Sequence, residues 1–263
     1  MTVVPTGIYI EQFNRGAGKA FRKKMHIPSD AFVVGHVGRL APEKNLEFLT
    51  RAVGQFLKKV PNAHFLIGGS GPSEETIKEI MAQEGVSERL HLAGLLRGKD
   101  LINAYHAMDV FVFASQSETQ GLVVTEAMAA GIPVVAVDAP GVREVVRDRV
   151  NGRLIMNESI EEFVTALEWF KKEPVTSLKK IKIACKETAR SFTMKICAQR
   201  AMDIYSTLTT NQGFSRRIKA KEDGFWSKAV RSFQTQWGLA KNLSHATGAY
   251  LTQSPQALPD VNT

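Results

Sequence analysis

The sequence predicts an α/β protein built around a doubly wound parallel sheet, and two observations lead to this prediction. First, short apolar runs alternate with segments of amphipathic helical period across residues 32–173, with short connections between them. Strands and helices in that alternation form parallel sheets with right-handed crossovers. Second, glycines collect where the predicted strands end, at the edge of such a sheet that binds ligands. These glycines are Gly38, Gly68, Gly69, Gly71, Gly94 and Gly121.

The predicted elements follow one another in a regular order. Apolar runs predict strands at residues 32–38, 63–68, 89–93, 109–114, 133–137 and 152–156. Periodic apolar spacing predicts helices at residues 45–60, 73–83, 101–108, 142–148 and 160–172, and one more that begins near Gly121. Ahead of the first strand, a short helix is expected within residues 21–28, ended by Pro28.

The chain is expected to divide into four parts. Residues 1–31 form a linker and lead-in, and residues 32–173 form a Rossmann-like domain. Residues 174–210 form terminal helices, a helical C-terminal extension of that domain. Residues 211–263 form a basic, partly disordered tail.

The tail combines Lys and Arg residues with aromatic residues at near-helical spacing, namely Phe225, Trp226, Phe233 and Trp237. One hypothesis is that it forms an interfacial helix in peripheral contact with an anionic membrane surface. The alternative is a solvated tail whose aromatic side chains pack on the domain.

Composition narrows the class of protein. The chain has 34 Lys and Arg against 26 Asp and Glu, for a net charge of +8. A solvated basic surface explains this better than nucleic-acid binding, because no nucleic-acid motif is visible. Cys185 and Cys197 have no nearby Cys or His partners in the sequence, which predicts buried thiols in a cytoplasmic protein and no metal site. If the basic tail binds anionic lipid, the protein would lie at the inner face of the membrane, and this alternative is left open.

The segment from residue 115 to residue 137 combines two carboxylates with a helix N-terminus. Glu118 lies in the loop after an apolar strand, and Glu126 lies in the second turn of the following helix. The N–H groups from Thr119 to Val123 lie between them, at the positive end of the helix dipole. Such an array suits a phosphate, and the carboxylates suit sugar hydroxyls. This segment therefore predicts a nucleotide-sugar site.

Two cations lie in the loop after the first strand. Arg39 and Lys44 are expected to reach the place where the helix N–H groups would hold a diphosphate. Both would stabilise charge on a departing diphosphate. The alternative is that they are loop charges paired with Glu43 or with solvent.

Two further regions near the predicted strand ends are residues 95–97 and His36. Leu95, Leu96 and Arg97 follow the third strand and either flank a nucleotide base or form a surface loop. His36 lies within a strand and is expected to be a packed or hydrogen-bonded core residue, not a catalyst.

Three segments resemble one protein family. They read GHVGRLAPEKN from residue 35, IGGSGP from residue 67, and ETQGLVVTEA from residue 118. Together they look like the C-terminal, nucleotide-sugar-binding half of family-four retaining glycosyltransferases (group 1), which have the GT-B architecture. The resemblance implies that Arg39 and Lys44 bind the diphosphate, that Glu118 contacts the hydroxyls of the donated sugar, and that Glu126 contacts the ribose.

The same resemblance implies catalytic roles for Arg39, Lys44 and Glu118, and a nucleotide-diphosphosugar as substrate. It implies no metal, because the cations and the helix N-terminus replace one. For donor binding it assigns the backbone amides of Gln120, Gly121, Leu122 and Val123, together with Glu126. Positions at strand ends and at the helix start add Gly38, Leu96, Arg97 and Thr119 to the expected donor-binding residues.

Members of this family carry an N-terminal acceptor domain, and residues 3–8 resemble the linker between the two halves. We therefore expect a fragment, a truncated reading frame or one half of a split enzyme, with the acceptor domain or a partner chain supplied separately. The leading hypothesis is hexose transfer with retention to an acceptor such as a lipid or cell-envelope glycan. The alternative is a nucleotide-sugar-binding half-domain that is inactive by itself. A nucleotide-sugar epimerase fits the residues less well.

Overall fold

The computed structural model describes residues 4–115 and 120–210. The chain divides into two compact units, residues 1–202 and residues 203–263. The sheet and its flanking helices belong to the first unit, and the described part of the second unit is the end of one helix. The roles expected for Glu118 and Thr119, and those of the tail 211–263, lie outside the described residues.

A six-stranded, all-parallel sheet forms the centre of the first unit, which confirms the predicted fold class. The strands run in the order β3-β2-β1-β4-β5-β6. Their bounds are β1 Phe32–Val37, β2 Ala63–Gly68, β3 Leu90–Leu92, β4 Val110–Phe113, β5 Val134–Val137 and β6 Gly152–Ile155. Strand order reverses direction between β1 and β4, and this switch point is where doubly wound sheets bind ligands.

Helices cover both faces of the sheet. On one face α2 packs against α3 and α7, and on the other α1 packs against α4, and α5 against α8. Their bounds are α1 Gly18–Lys24, α2 Leu46–Lys59, α3 Glu74–Gln83, α4 Gly98–Ala107, α5 Leu122–Ala129, α6 Pro140–Arg143, α7 Ile160–Lys172, α8 Val175–Arg190 and α9 Met194–Thr210. Because helices lie on both sides, β2, β4 and β5 are buried at every position. Continuous apolar runs are what such strands require.

Three predicted helices have different bounds in the structure. The helix expected at residues 101–108 is α4, which begins three residues earlier, at Gly98. Helix α1 begins at Gly18 and ends before Pro28, because His26 adopts a left-handed conformation with φ 55°. A left-handed residue ends a helix because its backbone no longer points along the helix axis. The helix expected at residues 142–148 is the short α6, which starts at Pro140, a residue whose fixed φ suits a first helical position.

The lead-in shares the core of the sheet. Ile8 forms a parallel bridge with Thr193, and Phe13, Phe21 and Ile27 are buried. Arg22 fastens α1 to the strand starts, since its guanidinium donates to Asp109 Oδ2 at 2.9 Å and to the Ala31 carbonyl at 2.8 Å.

Both cysteines are buried and unpaired, as expected. The Cys185 thiol on α8 donates to the Asn151 carbonyl at 3.2 Å, and its burial raises the pKa to about 12. Within residues 4–115 and 120–210, no helix has the length and apolar character needed to cross a membrane.

Thr50 on α2 generates a stability prediction. Its hydroxyl is buried and has no hydrogen-bond partner among the described residues. A buried hydroxyl without a partner costs free energy, so Thr50→Val should raise the free energy of unfolding by about 1 kcal/mol in urea denaturation. Thr125→Val is the matched control, because that buried hydroxyl donates to the Gly121 carbonyl at 3.4 Å. Equal effects of the two substitutions would contradict the prediction.

Candidate functional site

Two adjoining cavities open at the carboxyl ends of the strands, beside the switch point between β1 and β4. Their volumes are about 400 Å³ and about 290 Å³. Val37, Gly38, Arg39 and Val123 line both of them. The larger cavity also has an apolar wall formed by Leu95, Leu96 and Leu101, and Glu126 at its edge. The smaller cavity is also lined by His36, Lys44, Phe113, Gln120 and Leu122.

The loop after β1 brings both predicted cations to the cavities. The Arg39 guanidinium pairs with the Glu43 carboxylate four residues later, and both side chains are exposed. This is the pairing considered as the alternative to phosphate binding. An exposed ion pair contributes little free energy, so a phosphate can displace Glu43 from Arg39. Lys44 lines the smaller cavity.

Polar contacts fasten this loop to the end of β4. Asn45 adopts a left-handed conformation with φ 54°, and its amide donates to the Ala114 carbonyl, directly after β4, at 3.4 Å. The Ser115 hydroxyl donates to the Glu43 carbonyl at 3.1 Å. Because both contacts cross the switch point, the loop that carries Arg39 is held in place before any ligand arrives.

The N-terminus of α5 presents unpaired N–H groups. Val124 and Thr125 both donate to the Gly121 carbonyl, whereas the N–H groups of Leu122 and Val123 have no acceptor among the described residues. Gly121 has φ 57°, a conformation that glycine adopts without strain. The first turn of α5 therefore offers two N–H donors and the positive end of a helix dipole, which suits an anion.

Glu126 is held by a tyrosine that the sequence did not reveal as part of the site. The Tyr105 hydroxyl donates to Glu126 Oε2 at 2.8 Å. Burial raises the pKa of Glu126, and the hydrogen bond from Tyr105 acts in the opposite direction. Burial raises the pKa of Tyr105 well above its usual range, and the neighbouring Glu126 charge adds to that shift.

The glycine turn after β2 brings the backbone close to the loop after β1. Gly69 has φ 146°, and a Cβ there would overlap the Gly38 carbonyl oxygen. Gly69 donates its N–H to the Gly94 carbonyl at 2.7 Å, which links the ends of β2 and β3. The lack of a side chain at Gly69 therefore permits the close approach of the two loops that line the larger cavity.

His36 is the packed core residue that was expected. Its Nδ1 donates to the Val112 carbonyl at 3.0 Å, and its ring stacks with Phe111 and Phe113. Burial lowers its pKa to about 4, and the Lys44 charge adds to that shift. The ring is therefore neutral at neutral pH, and it forms part of the floor of the smaller cavity.

The structure brings most of the predicted site residues together. Eight of them line the two cavities: Gly38, Arg39, Lys44, Leu96, Gln120, Leu122, Val123 and Glu126. Gly121 is buried directly before α5. Arg97 is exposed at the start of α4 and lines neither cavity, and its role in donor binding stays a prediction.

Sequence reasoning missed Tyr105, Asn45 and Ser115. Tyr105 and Glu126 are 21 residues apart, and no spacing rule connects them. Asn45 carried a usable signal, because Asn directly before a helix often adopts a left-handed or capping conformation.

Comparison with known proteins identifies a matching family. The profile described as "Glycosyl transferases group 1" matches residues 18–191. The alpha-monoglucosyldiacylglycerol synthase of Acholeplasma laidlawii is 30% identical over 211 residues, which cover 77% of this chain and 52% of that protein. The chain thus spans about half the length of such curated relatives.

Solved structures share the fold. HepE from Anabaena, crystallised with UDP and glucose, superposes with a TM-score of 0.70 at 24% identity, over 79% of this chain and 57% of HepE. The C-terminal domain of the group 1 glycosyl transferase LpcC from Francisella tularensis superposes with a TM-score of 0.62 at 23% identity. That match covers 70% of this chain and 97% of the LpcC domain.

The raised pKa of Glu126 generates a prediction about stability and pH. The folded protein binds a proton at Glu126 more tightly than the unfolded chain does, so stability present at low pH is lost as pH rises through the folded pKa. Glu126→Gln removes this loss and keeps an acceptor for Tyr105. We expect the Tm of the variant relative to wild type to be higher at pH 8 than at pH 5, measured by calorimetry.

The exposed Glu79 on α3 provides the control, since Glu79→Gln removes the same charge away from the cavities. A Tm difference that did not depend on pH in Glu126→Gln would contradict the assigned pKa direction.

Proposed function

Because the chain belongs to the group 1 glycosyl transferase family, we propose that it forms the donor-binding half of an enzyme that transfers a hexose from a nucleotide-diphosphosugar with retention at the anomeric carbon. The observation that supports this most directly is the convergence at one switch point of Arg39, Lys44, the α5 N-terminus and Glu126. Two cations and free N–H groups suit a diphosphate, and a half-buried carboxylate suits a ribose diol.

The proposed binding mode follows the two cavities. The diphosphate lies in the smaller cavity, between Lys44 and the N–H groups of Leu122 and Val123. The ribose lies at Glu126. The base lies against the apolar wall of the larger cavity, formed by Leu95, Leu96 and Leu101.

Charge stabilisation is the chemistry that these residues can supply. When the bond between sugar and diphosphate breaks, negative charge grows on the diphosphate. Arg39, Lys44 and the α5 dipole would stabilise that charge more strongly in the transition state than in the ground state, which accelerates transfer. Glu118, which lies outside the described residues, is proposed to contact the hexose hydroxyls. These cations leave no need for a divalent metal at the diphosphate.

The acceptor is proposed to bind on the other half of such an enzyme. The curated relatives are about twice as long as the segment this chain matches, and that half lies either on the same polypeptide or on a partner chain. The relatives' names include a glucosyldiacylglycerol synthase and D-inositol 3-phosphate glycosyltransferases. These names indicate different acceptors, so the proposal stops at hexose transfer and the nucleotide-sugar.

A second candidate function is nucleotide-sugar binding without chemistry. It is favoured by the span of the match, which covers about half of each relative. Assaying hydrolysis of UDP-glucose by the chain alone, and then transfer after addition of an acceptor-side half, separates the two. Turnover by the chain alone or with the acceptor-side half supports the enzymatic function over nucleotide-sugar binding without chemistry.

Direct nucleotide binding is the first prediction of this proposal. Calorimetry should detect binding of UDP to the chain in the presence of EDTA, because the cations and the α5 N-terminus hold the diphosphate. Glu126→Ala should weaken binding by about 1–3 kcal/mol, the cost of losing a charged hydrogen-bond partner. The proposal fails if UDP binds only with Mg²⁺, or if none of UDP, GDP and ADP binds.

A second prediction separates catalysis from binding. In an enzyme assembled with its acceptor-side half, Arg39→Ala and Lys44→Ala should each lower kcat by about 10²-fold, with a smaller change in KM, because the lost charge acts mainly in the transition state. Arg51→Ala is the control, since Arg51 pairs with Glu47 on the surface of α2. An unchanged kcat with a raised KM would remove the catalytic role.

A third prediction concerns residues 211–263, for which we propose peripheral contact with an anionic membrane. Each Lys or Arg near such a surface adds about 1 kcal/mol of attraction, so the basic tail should bind weakly and reversibly. Co-sedimentation with phosphatidylserine vesicles should fall when residues 211–263 are removed, and it should fall with added salt. Equal vesicle binding with and without residues 211–263 would exclude a role of the tail in membrane contact.

A further inference from the structure

Tyr105 joins helix α4 to the candidate nucleotide site. Its side chain is fully buried. The ring packs edge-on against Phe13 and is tilted against Phe111, with centroid distances of 5.8 Å in both cases. Two rigid aromatic neighbours leave the ring little freedom to rotate, so the position of its hydroxyl is set by the packing of α4 against the sheet.

The hydroxyl has two acceptors within reach. It lies 2.8 Å from Glu126 Oε2 and 3.3 Å from the Val123 carbonyl. Both of these groups only accept, so the single phenolic proton is donated, and the shorter distance and the negative charge favour Glu126. Tyr105 thus contacts α5 at two points, one of them in its first turn.

This contact also orients the rest of the carboxylate. Oε2 is occupied by Tyr105, whereas Oε1 of Glu126 has no hydrogen-bond partner within the part of the chain that the structure describes. The two oxygens share one plane, so holding one of them fixes the direction of the other. Glu126 lines the larger cavity, and its remaining lone pairs are available to a ligand there.

We propose that Tyr105 is a positioning residue for nucleotide binding: its hydroxyl holds the Glu126 carboxylate in the orientation that receives the ribose hydroxyls of a nucleoside diphosphate. This inference rests on the proposed function, because the ribose contact is part of it. Tyr105 itself does not line either cavity and acts through Glu126.

Because Glu126 titrates, the inference predicts how nucleotide affinity changes with pH. The charged groups near Glu126 are as follows. Arg39 faces the cavity from the loop after β1, Lys44 lies in the adjoining cavity, and Arg97 is exposed at the start of α4. Burial raises the pKa of Glu126, and Tyr105 opposes this effect. Without the hydroxyl, burial is unopposed and the pKa rises further.

Ribose hydroxyls bind best to an ionised carboxylate, so nucleotide affinity falls as the pH drops through the pKa of Glu126. In Tyr105→Phe that fall should begin at a higher pH than in the wild type. A purely structural role for Tyr105 would lower affinity by a constant factor and would not move the profile.

The test is calorimetric titration of the full chain with UDP between pH 5 and pH 8. The affinity of Tyr105→Phe relative to wild type should be severalfold lower at pH 6 than at pH 8. Tyr9→Phe is the matched control, because it removes the same atom from a residue that is 59% exposed. In Glu126→Gln, whose side chain does not titrate, the added Tyr105→Phe change should produce no pH dependence.

A second ligand separates the ribose contact from the rest of the site. Wild type should bind 2′-deoxyuridine diphosphate more weakly than UDP, and Tyr105→Phe at pH 6 should show a smaller difference between the two. Equal differences in both proteins would overturn the proposal.

The outcomes distinguish this inference from the function on which it rests. If wild type binds none of UDP, GDP and ADP, both are overturned before any variant is made. If wild type binds and Tyr105→Phe shows an unshifted pH profile, the positioning role alone is overturned. Should Tyr105→Phe fail to fold, Glu126→Asp withdraws the carboxylate from the hydroxyl while keeping its charge, and the same displacement of the profile is expected; an unshifted profile would again overturn the role.

Discussion

The divergence of β1 and β4 is the constraint on which the site depends. The two strands are tied at their starts, where Asp109 accepts from the Val33 N–H at 2.8 Å and returns its own N–H to the Val33 carbonyl at 2.8 Å. Their pairing covers only two residue pairs, whereas β1 pairs with β2 along its whole length. The chain leaves β1 toward one face and β4 toward the other, so their loops separate and a crevice opens between them. Arg39 and Lys44, which follow β1, then line the same cavity as Gln120, which follows β4.

The sequence was sufficient for the parts of the fold that depend on local pattern. Strands buried on both faces need continuous apolar runs. The strands β2, β4 and β5 lie where such runs in the sequence predicted them. Helix ends were less predictable, because α1 ends through the backbone conformation of His26 and not through Pro28. A left-handed histidine leaves no reliable trace in a single sequence.

Part of the site could be predicted because some of its residues also follow from local sequence pattern. Gly38, Arg39 and Glu126 are found at one cavity because strand ends and a helix start place them there. Arg97 was assigned by proximity to a strand end alone, and its side chain is exposed. Tyr105 could not be found in this way, since its contact with Glu126 depends on how α4 and α5 pack across the sheet. Contacts between helices depend on tertiary packing, which cannot be predicted from the spacing of residues in the sequence.

The pairing of Arg39 with Glu43 gives the site an internal competitor for its anion. A diphosphate must displace a carboxylate four residues away, so the measured affinity is lower than the affinity of the bare cations by the free energy of that pair.

The thiol of Cys185 provides a natural chemical reporter of motion in α8. It is fully buried against α5, and a thiol with a pKa of about 12 has almost no reactive thiolate at neutral pH. An alkylating reagent can modify it only when α8 separates locally from the rest of the unit. The rate of that modification therefore counts opening events, and a ligand that steadies α5 would slow it without touching the cysteine.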